Sequence, residues 1–450
     1  MWADEIFSVE AARHDWNGLL SFIIEDIVHP PLFYLVLKLW IAIGGESLLW
    51  LRLFPVLAAS AAIVPFLLLC RELKLQLAEI NLALVLMAVN GYLVYYAQEL
   101  RMYSLLLFLT LCSLWLFVSF FNAKDGVKKP LVALFAVNLL LVYTQYYGWL
   151  VVGVEFIFLM FWGRQRLPSF MLSLAILILC FSPWAYAVAQ VAMKKGLDGN
   201  LSSFARPNLN ALVWHYATLG APLRPRWKTE LGLLLFGVPI VLWSWHAFRK
   251  IRVADKGQAI TFWWLLLFSF LPAVLAFFAS QALPQSVWGA RQLIIVAAPY
   301  MILVAVAVYQ LRPNWLRAVA ILLVVGSATL SGFKSPMDTQ RAAYEVSVRQ
   351  MIEAEPTQAN GIMVYTLSGH VATAIKFYLE SAGERRFEVL EAEDLTALEG
   401  DHFWVAFRES REKKERPLQE ILTDSGYQVG KGFESGPPGH KVFLFPVWRR

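Results

Sequence analysis

Charge is scarce in this chain. Only 16% of its residues are Asp, Glu, Lys or Arg, against about a quarter in soluble domains. Hydrophobic residues make up 58%, and mean hydropathy is +0.54. That balance excludes a soluble globular protein. Cysteine is nearly absent: Cys70, Cys112 and Cys180 each fall inside an apolar run, which reads as core filling and not as a disulfide framework or a metal site. No repeat of solenoid period occurs, and no cleavable signal peptide is expected, because the chain opens on a charged segment. Nor do the two halves show the symmetry on which many transporters are built.

Present instead are windows of about 20 apolar residues, each long enough to cross a bilayer. The sequence predicts an all-α polytopic membrane protein with about ten spans, at 52–70, 80–97, 103–121, 130–145, 146–162, 168–187, 230–248, 261–281, 289–310 and 315–333. The run from Pro31 to Gly44 is short, carries Lys38 and ends in Gly44-Gly45, so it reads as an interfacial or re-entrant helix. With that run kept out of the count, one side receives Arg71 and Lys74, then Lys124, Lys128 and Lys129, then Arg164 and Arg166. It also receives Arg249, Lys250, Arg252 and Lys256, and then Arg312 and Arg317. Such a bias marks the cytoplasmic face. The net charge of +6 therefore reads as topology before nucleic-acid binding. After Phe333 the composition turns charged, with strand-like runs at Gly361–Tyr365, Phe403–Phe407 and Lys441–Phe445. Helix-like stretches lie at Ala342–Glu355, Ala372–Leu379 and Leu418–Thr423. The expected organisation is a membrane domain over 1–333, opening with an outer loop of interfacial helices over 1–48. A small extramembrane α/β domain over 334–450 follows.

The polar motifs then fall on the outer face. Asp4-Glu5 precede a helix with an apolar stripe at Ile6, Val9 and Trp16. They are either acids favoured at a helix N-terminus or a carboxylate pair that takes a proton from a hydroxyl. His29 precedes Pro30-Pro31 at the start of a helix, as a cap or as a donor to substrate. Arg52, Arg101 and Arg291 stand at helix mouths, where arginine either snorkels or grips phosphate. Tyr143, Tyr146, Tyr147 and Trp149 form an aromatic belt or a platform for sugar and isoprenoid. The outer loop from about 188 to 229 adds Trp214-His215-Tyr216 and Arg224-Pro225-Arg226. Polar residues converging on one surface of a polytopic protein point to a site.

Taken together, Trp2-Ala3-Asp4-Glu5, His29-Pro30-Pro31-Leu32-Phe33-Tyr34, Leu51-Arg52-Leu53-Phe54-Pro55 and Tyr96-Ala97-Gln98-Glu99-Leu100-Arg101-Met102-Tyr103, with Arg291 ahead of Ala298-Pro299, carry a resemblance. The chain resembles bacterial relatives of the dolichyl-phosphate-mannose protein mannosyltransferases. These are glycosyltransferases of the GT-C fold, and the chain is also similar to lipid A aminoarabinose and galacturonic acid transferases. The resemblance covers about the first 330 residues. It implies a sugar carried on a polyprenyl phosphate and moved, with inversion, to an acceptor hydroxyl or phosphate at the outer face of the inner (plasma) membrane. It further implies that Asp4 is the base, supported by Glu5, that Glu99 and Arg101 line the donor pocket, and that Arg52 approaches the acidic pair. The resemblance also implies a membrane helix ahead of the Asp-Glu loop, and here only Met1, Trp2 and Ala3 precede Asp4. Gln145 stands where many relatives carry histidine, so that role is not carried over.

Expected site residues are thus Asp4 and Glu5 for catalysis, with His29, Arg52, Glu99, Arg101, Tyr103, Tyr146 and Arg291 for donor or substrate binding. Expected partners are the polyprenyl-phosphate-linked sugar, a lipid, glycan or protein acceptor, and membrane lipids, with no nucleic acid. A divalent cation beside Asp4-Glu5 is the one candidate cofactor, although no ligand set of diagnostic spacing is present. One carboxylate with several arginines suits transfer from a lipid phosphate better than a retaining glycosidase, which needs a second carboxylate as nucleophile. The competing readings are a lipid or solute transporter and a non-catalytic membrane scaffold.

Overall fold

The computed structural model of the chain describes residues 1, 3–26, 28–124, 128–195, 206–221, 226–250, 256–333, 344–356, 361–392, 398, 400–408, 415–436 and 441–449. Trp2, Arg224, Pro225 and Arg252, with the side chains of Arg226, Lys250 and Lys256, lie outside the described residues, as does part of the 188–229 loop. The chain divides into two compact units. One is Ala11–Ser335; the other joins Met1–Glu10 to Pro336–Arg450. The first ten residues, expected with the membrane part, thus group with the C-terminal residues.

The larger unit is a multi-pass membrane bundle. Among the described residues, seven helices are long and apolar enough to cross a membrane: Leu48–Glu72, Tyr103–Asn122, Leu167–Lys194, Glu230–Arg249, Gly257–Ala282, Gln292–Tyr309 and Asn314–Phe333. The expected span at 80–97 is not one straight helix. It is broken into Leu77–Val89 and Gly91–Ala97, bent by 59°. Asn90 causes the break. It ends the first helix and caps the second, its Oδ1 accepting from Tyr92 N (3.0 Å) and Leu93 N (3.1 Å). Its Nδ2 donates to the carbonyls of Leu219 (2.9 Å) and Gly220 (2.8 Å). The next residue has no room for a side chain, because a Cβ on Gly91 would stand 2.3 Å from the Ser331 carbonyl oxygen.

The helix Leu32–Gly44 has 13 residues, about 20 Å of rise, too short for a span. It folds back at Gly45 (φ +78°) onto Leu48–Ala61. There Trp40 and Trp50 stack at 4.3 Å, each indole N–H donating to the other's carbonyl at 2.9 Å. Lys38, the awkward charge in this run, caps carbonyls: its ammonium donates to Ala12 O (3.1 Å) and to His14 O. Trp16, placed by the sequence on one stripe with Ile6 and Val9, begins a separate helix, Trp16–Asp26, and is exposed.

Helices Lys129–Thr144 and Gly148–Trp162 are shorter, at 16 and 15 residues. A closed polar ring ties them to Tyr103–Asn122. Ser113 Oγ lies 2.7 Å from both Asn138 Oδ1 and Glu155 Oε1, and Asn138 Nδ2 donates to Glu155 Oε2 at 2.8 Å. All three residues are buried. One hydroxyl hydrogen cannot serve two acceptors, so the ring closes with a hydrogen on Glu155. Glu155→Gln, which offers the same donor and acceptor, is expected to leave the thermal midpoint in detergent within a few degrees of wild type. Glu155→Ala is expected to cost about 1–3 kcal/mol for each orphaned polar group. A midpoint that falls as far in the Gln variant as in the Ala variant would contradict the ring.

The smaller unit is a mixed sheet with strands β1 (Ile362–Thr366), β2 (Phe387–Glu391), β3 (His402–Arg408), β4 (Tyr427–Val429), β5 (Phe433–Ser435) and β6 (Val442–Arg449), in the order β2-β1-β3-β6-β4 with β5 also on β6. β1 runs parallel to both β2 and β3, and β6 antiparallel to β3. Alternate residues face opposite sides. Trp404, Ala406, Val442 and Leu444 join Ile6, Tyr344, Met351 and Ile375 in one core. Phe403, Val405, Phe407, Phe443 and Phe445 join Leu422 and Tyr427 in the other. Ile6 is thereby a core residue of this unit, and the Tyr378 hydroxyl donates to Met1 O at 2.9 Å.

Candidate active site

Within the larger unit, chain breaks between apolar helices place polar side chains together. The turn Gln98–Met102 separates Gly91–Ala97 from Tyr103–Asn122, and buries Glu99 and Arg101. Arg101 reaches the turn ahead of Leu32: its Nη2 donates to His29 Nε2 at 2.7 Å. His29 is 6% exposed. Burial, then the neighbouring guanidinium, hold its pKa well below the usual 6.5, so the ring is neutral at physiological pH. With Nε2 accepting, the ring hydrogen sits on Nδ1. Gln145 Nε2 lies 3.3 Å from that Nδ1, but its amide is oriented by Tyr146 N, which donates to Gln145 Oε1 at 2.7 Å. Two N–H groups therefore face each other, and His29 presents a donor that an anionic oxygen between them would satisfy.

Tyrosines surround this pair. Tyr92, Tyr96 and Tyr103 pack edge to face at 4.7 and 4.9 Å, and the charges of Glu99 and Arg291 both act on Tyr92 and Tyr96. The charges of Arg101 and Asp26 both act on the Tyr34 hydroxyl. Tyr146 also senses Asp26, and its hydroxyl accepts from Trp184 Nε1 at 3.1 Å. The Arg291 loop is pinned from two sides. The Tyr92 hydroxyl donates to Ala290 O at 2.8 Å, and Gly289 N donates to the Tyr147 hydroxyl at 2.5 Å. Arg291 itself is exposed. Arg52, half-buried, stands one turn into Leu48–Ala61.

The structure therefore brings together His29, Glu99, Arg101, Tyr103, Tyr146 and Arg291 of the expected residues. Asp4 and Glu5 belong to the other unit. There Asp4 is half-buried and Glu5 fully buried, Ser8 Oγ donates to the Asp4 carbonyl at 3.0 Å, and the Asp4 charge acts on the Tyr344 hydroxyl. Among the described residues no group of three or more His, Cys, Asp or Glu is arranged to hold a metal ion, and no step below uses one.

Sequence reasoning missed Asn90, Asp26 and the place of His215 in this cluster. The Asn90-Gly91 pair inside an apolar run was the available signal for a break. His215, 3% exposed, packs edge-on against Tyr92, Tyr216 and Trp288, and its Nε2 has no hydrogen-bond partner among the described residues. Burial lowers its pKa from 6.5 to about 4. Since the unfolded chain takes up this proton near pH 6.5 and the folded one only near 4, the folded state is favoured in full above 6.5. That contribution is lost as pH falls through this window. His29 acts in the same direction. The thermal midpoint in detergent is therefore expected to drop between pH 6.5 and 4, and His215→Phe to flatten the drop. An unchanged slope in that variant would rule out this origin.

These features define a polytopic membrane protein with a buried polar cluster at its helix ends and a small α/β unit. No protein-family model matches the chain, and no curated protein matches it. Solved structures do. ArnT from Cupriavidus metallidurans in the apo state aligns over 99% of this chain and 92% of its own, with TM-score 0.60 and 12% identity. The same protein bound to undecaprenyl phosphate aligns over 93% and 88%, with TM-score 0.52 and 13% identity. The oligosaccharyltransferase of Archaeoglobus fulgidus, tethered with an acceptor peptide, aligns over 89% of this chain and 60% of its own, with TM-score 0.50 and 14% identity. The chain is similar to these proteins in fold, and its fold is GT-C.

Proposed function

We propose that this chain is a membrane glycosyltransferase that takes a sugar from a polyprenyl-phosphate donor. The acceptor hydroxyl or phosphate lies at the outer face of the inner membrane. The observation that carries the reading is the buried Arg101–His29 pair. A guanidinium and a neutral imidazole whose Nδ1–H faces the Gln145 amide offer charge and hydrogen bonds to a phosphate oxygen. They sit beside tyrosines acted on by a second cation, Arg291. In the transition state the leaving phosphate gathers negative charge, and fixed cations in a low-dielectric site stabilise that charge more than they stabilise the ground state. Glu99 and Tyr103 shape the donor pocket, Tyr146 offers a surface for the sugar, and Arg52 adds a cation at a helix mouth. Asp4, supported by Glu5, is the base that takes the acceptor's proton, and single displacement at the anomeric carbon inverts it. ArnT, a neighbour in fold, is bound to undecaprenyl phosphate, which supports a polyprenyl lipid as donor carrier.

The test is to incubate the purified chain in lipid with polyprenyl-phosphate sugars and a panel of acceptors, and to follow release of polyprenyl phosphate. Release that depends on acceptor is the expected outcome. Movement of the intact sugar lipid between leaflets without bond cleavage would instead make the chain a transporter.

A further inference from the structure

The larger unit has a cavity of about 680 Å³ at the opposite helix ends from the candidate active site. Tyr103 begins the helix at the site, and Phe121 lines the cavity eighteen residues later, about 27 Å away along the axis. That is close to the thickness of a bilayer's hydrocarbon core, so the two lie at opposite faces. The volume falls within the roughly 300–1,000 Å³ of small-ligand sites.

Its chemistry is graded. The deep wall is buried and aromatic, formed by Phe117, Phe158, Phe262 and Trp264. The mouth is polar, with Glu72, Lys74, Gln258 and Gln310, of which the last three are exposed. Glu72 is held in place: its carboxylate accepts from Ser119 Oγ (3.1 Å) and Asn122 Nδ2 (3.4 Å). Lys74 is the one non-glycine residue with positive φ (+55°) among the described residues. It terminates the helix Ile63–Glu72 through bonds from Lys74 N to Arg71 O and from Leu75 N to Cys70 O. That position is usually glycine, which takes it without steric cost. Lysine there carries backbone strain and sets an ammonium at the mouth.

We propose that this cavity binds one zwitterionic phospholipid with an ammonium headgroup, from the leaflet facing away from the candidate active site. One acyl chain enters the aromatic wall, the lipid phosphate meets Lys74, and the headgroup ammonium meets Glu72. An anionic lipid of the same tails would satisfy Lys74 but leave its headgroup against the Glu72 carboxylate, so the pair of fixed charges selects the zwitterion. Nothing in this depends on the glycosyltransferase reading.

The experiment is native mass spectrometry of the full chain released from mild detergent after titration with phosphatidylethanolamine or phosphatidylglycerol. Wild type is expected to retain one phosphatidylethanolamine per chain, at least tenfold more tightly than phosphatidylglycerol. Lys74→Gly removes the ammonium and relieves the backbone, so it is expected to weaken retention about tenfold with an unchanged or raised thermal midpoint. Ala259→Trp, on the cavity wall, is expected to block retention by filling the space. Wild-type retention in Lys74→Gly, equal or tighter retention of phosphatidylglycerol, or no retained lipid would each overturn the proposal.

Discussion

Asp4→Asn is expected to slow sugar transfer by about 10²–10⁴-fold, the usual contribution of a positioned general base. Asparagine has the same size and still suits the first turn of the helix Ala3–Arg13, where the lost macrodipole interaction costs about 0.3–1 kcal/mol. Ile6, the core residue of this helix, is unchanged. Protein yield and affinity for the lipid donor should therefore stay near wild type while turnover collapses. The check is the initial rate of polyprenyl phosphate release at saturating donor, set beside a direct measurement of donor binding. Turnover close to wild type would remove Asp4 from the chemistry and leave it as an acid at a helix start.

Arg291→Ala is expected to act on the other half of the reaction. A hydrogen bond to a charged partner contributes about 1.5–3 kcal/mol, so the dissociation constant for the donor lipid should rise about 10- to 100-fold. The fold should tolerate the change, since the side chain is exposed and its loop is held through backbone atoms by Tyr92 and Tyr147. Arg291→Lys should recover part of the loss, because lysine keeps the charge but not the planar fork that grips two phosphate oxygens. Titration of labelled polyprenyl phosphate in nanodiscs measures this directly. An unchanged dissociation constant in the alanine variant would take Arg291 out of the donor site.

Much of the membrane bundle was legible because its signals are long. Windows such as 103–121 and 315–333 reappear as Tyr103–Asn122 and Asn314–Phe333, since uninterrupted apolar length leaves few alternatives to a helix in a bilayer. The run from Pro31 to Gly44 was legible for the opposite reason: it was short and carried a lysine, and that lysine caps carbonyls. The bend at Asn90 escaped notice. Its surroundings are apolar on both sides, and its partners, the Leu219 and Gly220 carbonyls, are 129 and 130 residues away. In the smaller unit β1, β3 and β6 announced themselves as dense β-branched and aromatic runs. The edge strand β2, with glutamates at 388 and 391, and the three-residue β4 and β5 carried too little apolar pattern to stand out.

The site was legible as a set of residue types, and less so as an arrangement. Arginines at helix mouths and the Gln98–Arg101 turn marked the cluster, but the pairing of Arg101 with His29 joins residues 72 apart in sequence. Local spacing does not specify such a pair. The grouping of residues 1–10 with the C-terminal sheet is of the same kind: Ile6 looked like one residue of an amphipathic stripe, and its packing partners lie beyond residue 343.

The most direct measurement is equilibrium binding of polyprenyl phosphate to the full chain, compared with the uncharged polyprenol of the same length, because it needs neither the sugar nor the acceptor to be known. Saturable binding that prefers the phosphate at least tenfold, and that loses this preference in an Arg101→Gln, Arg291→Ala double variant, is the expected result. Equal affinity for phosphate and alcohol would contradict a phosphate site at Arg101, His29 and Arg291, and with it the proposed glycosyltransferase.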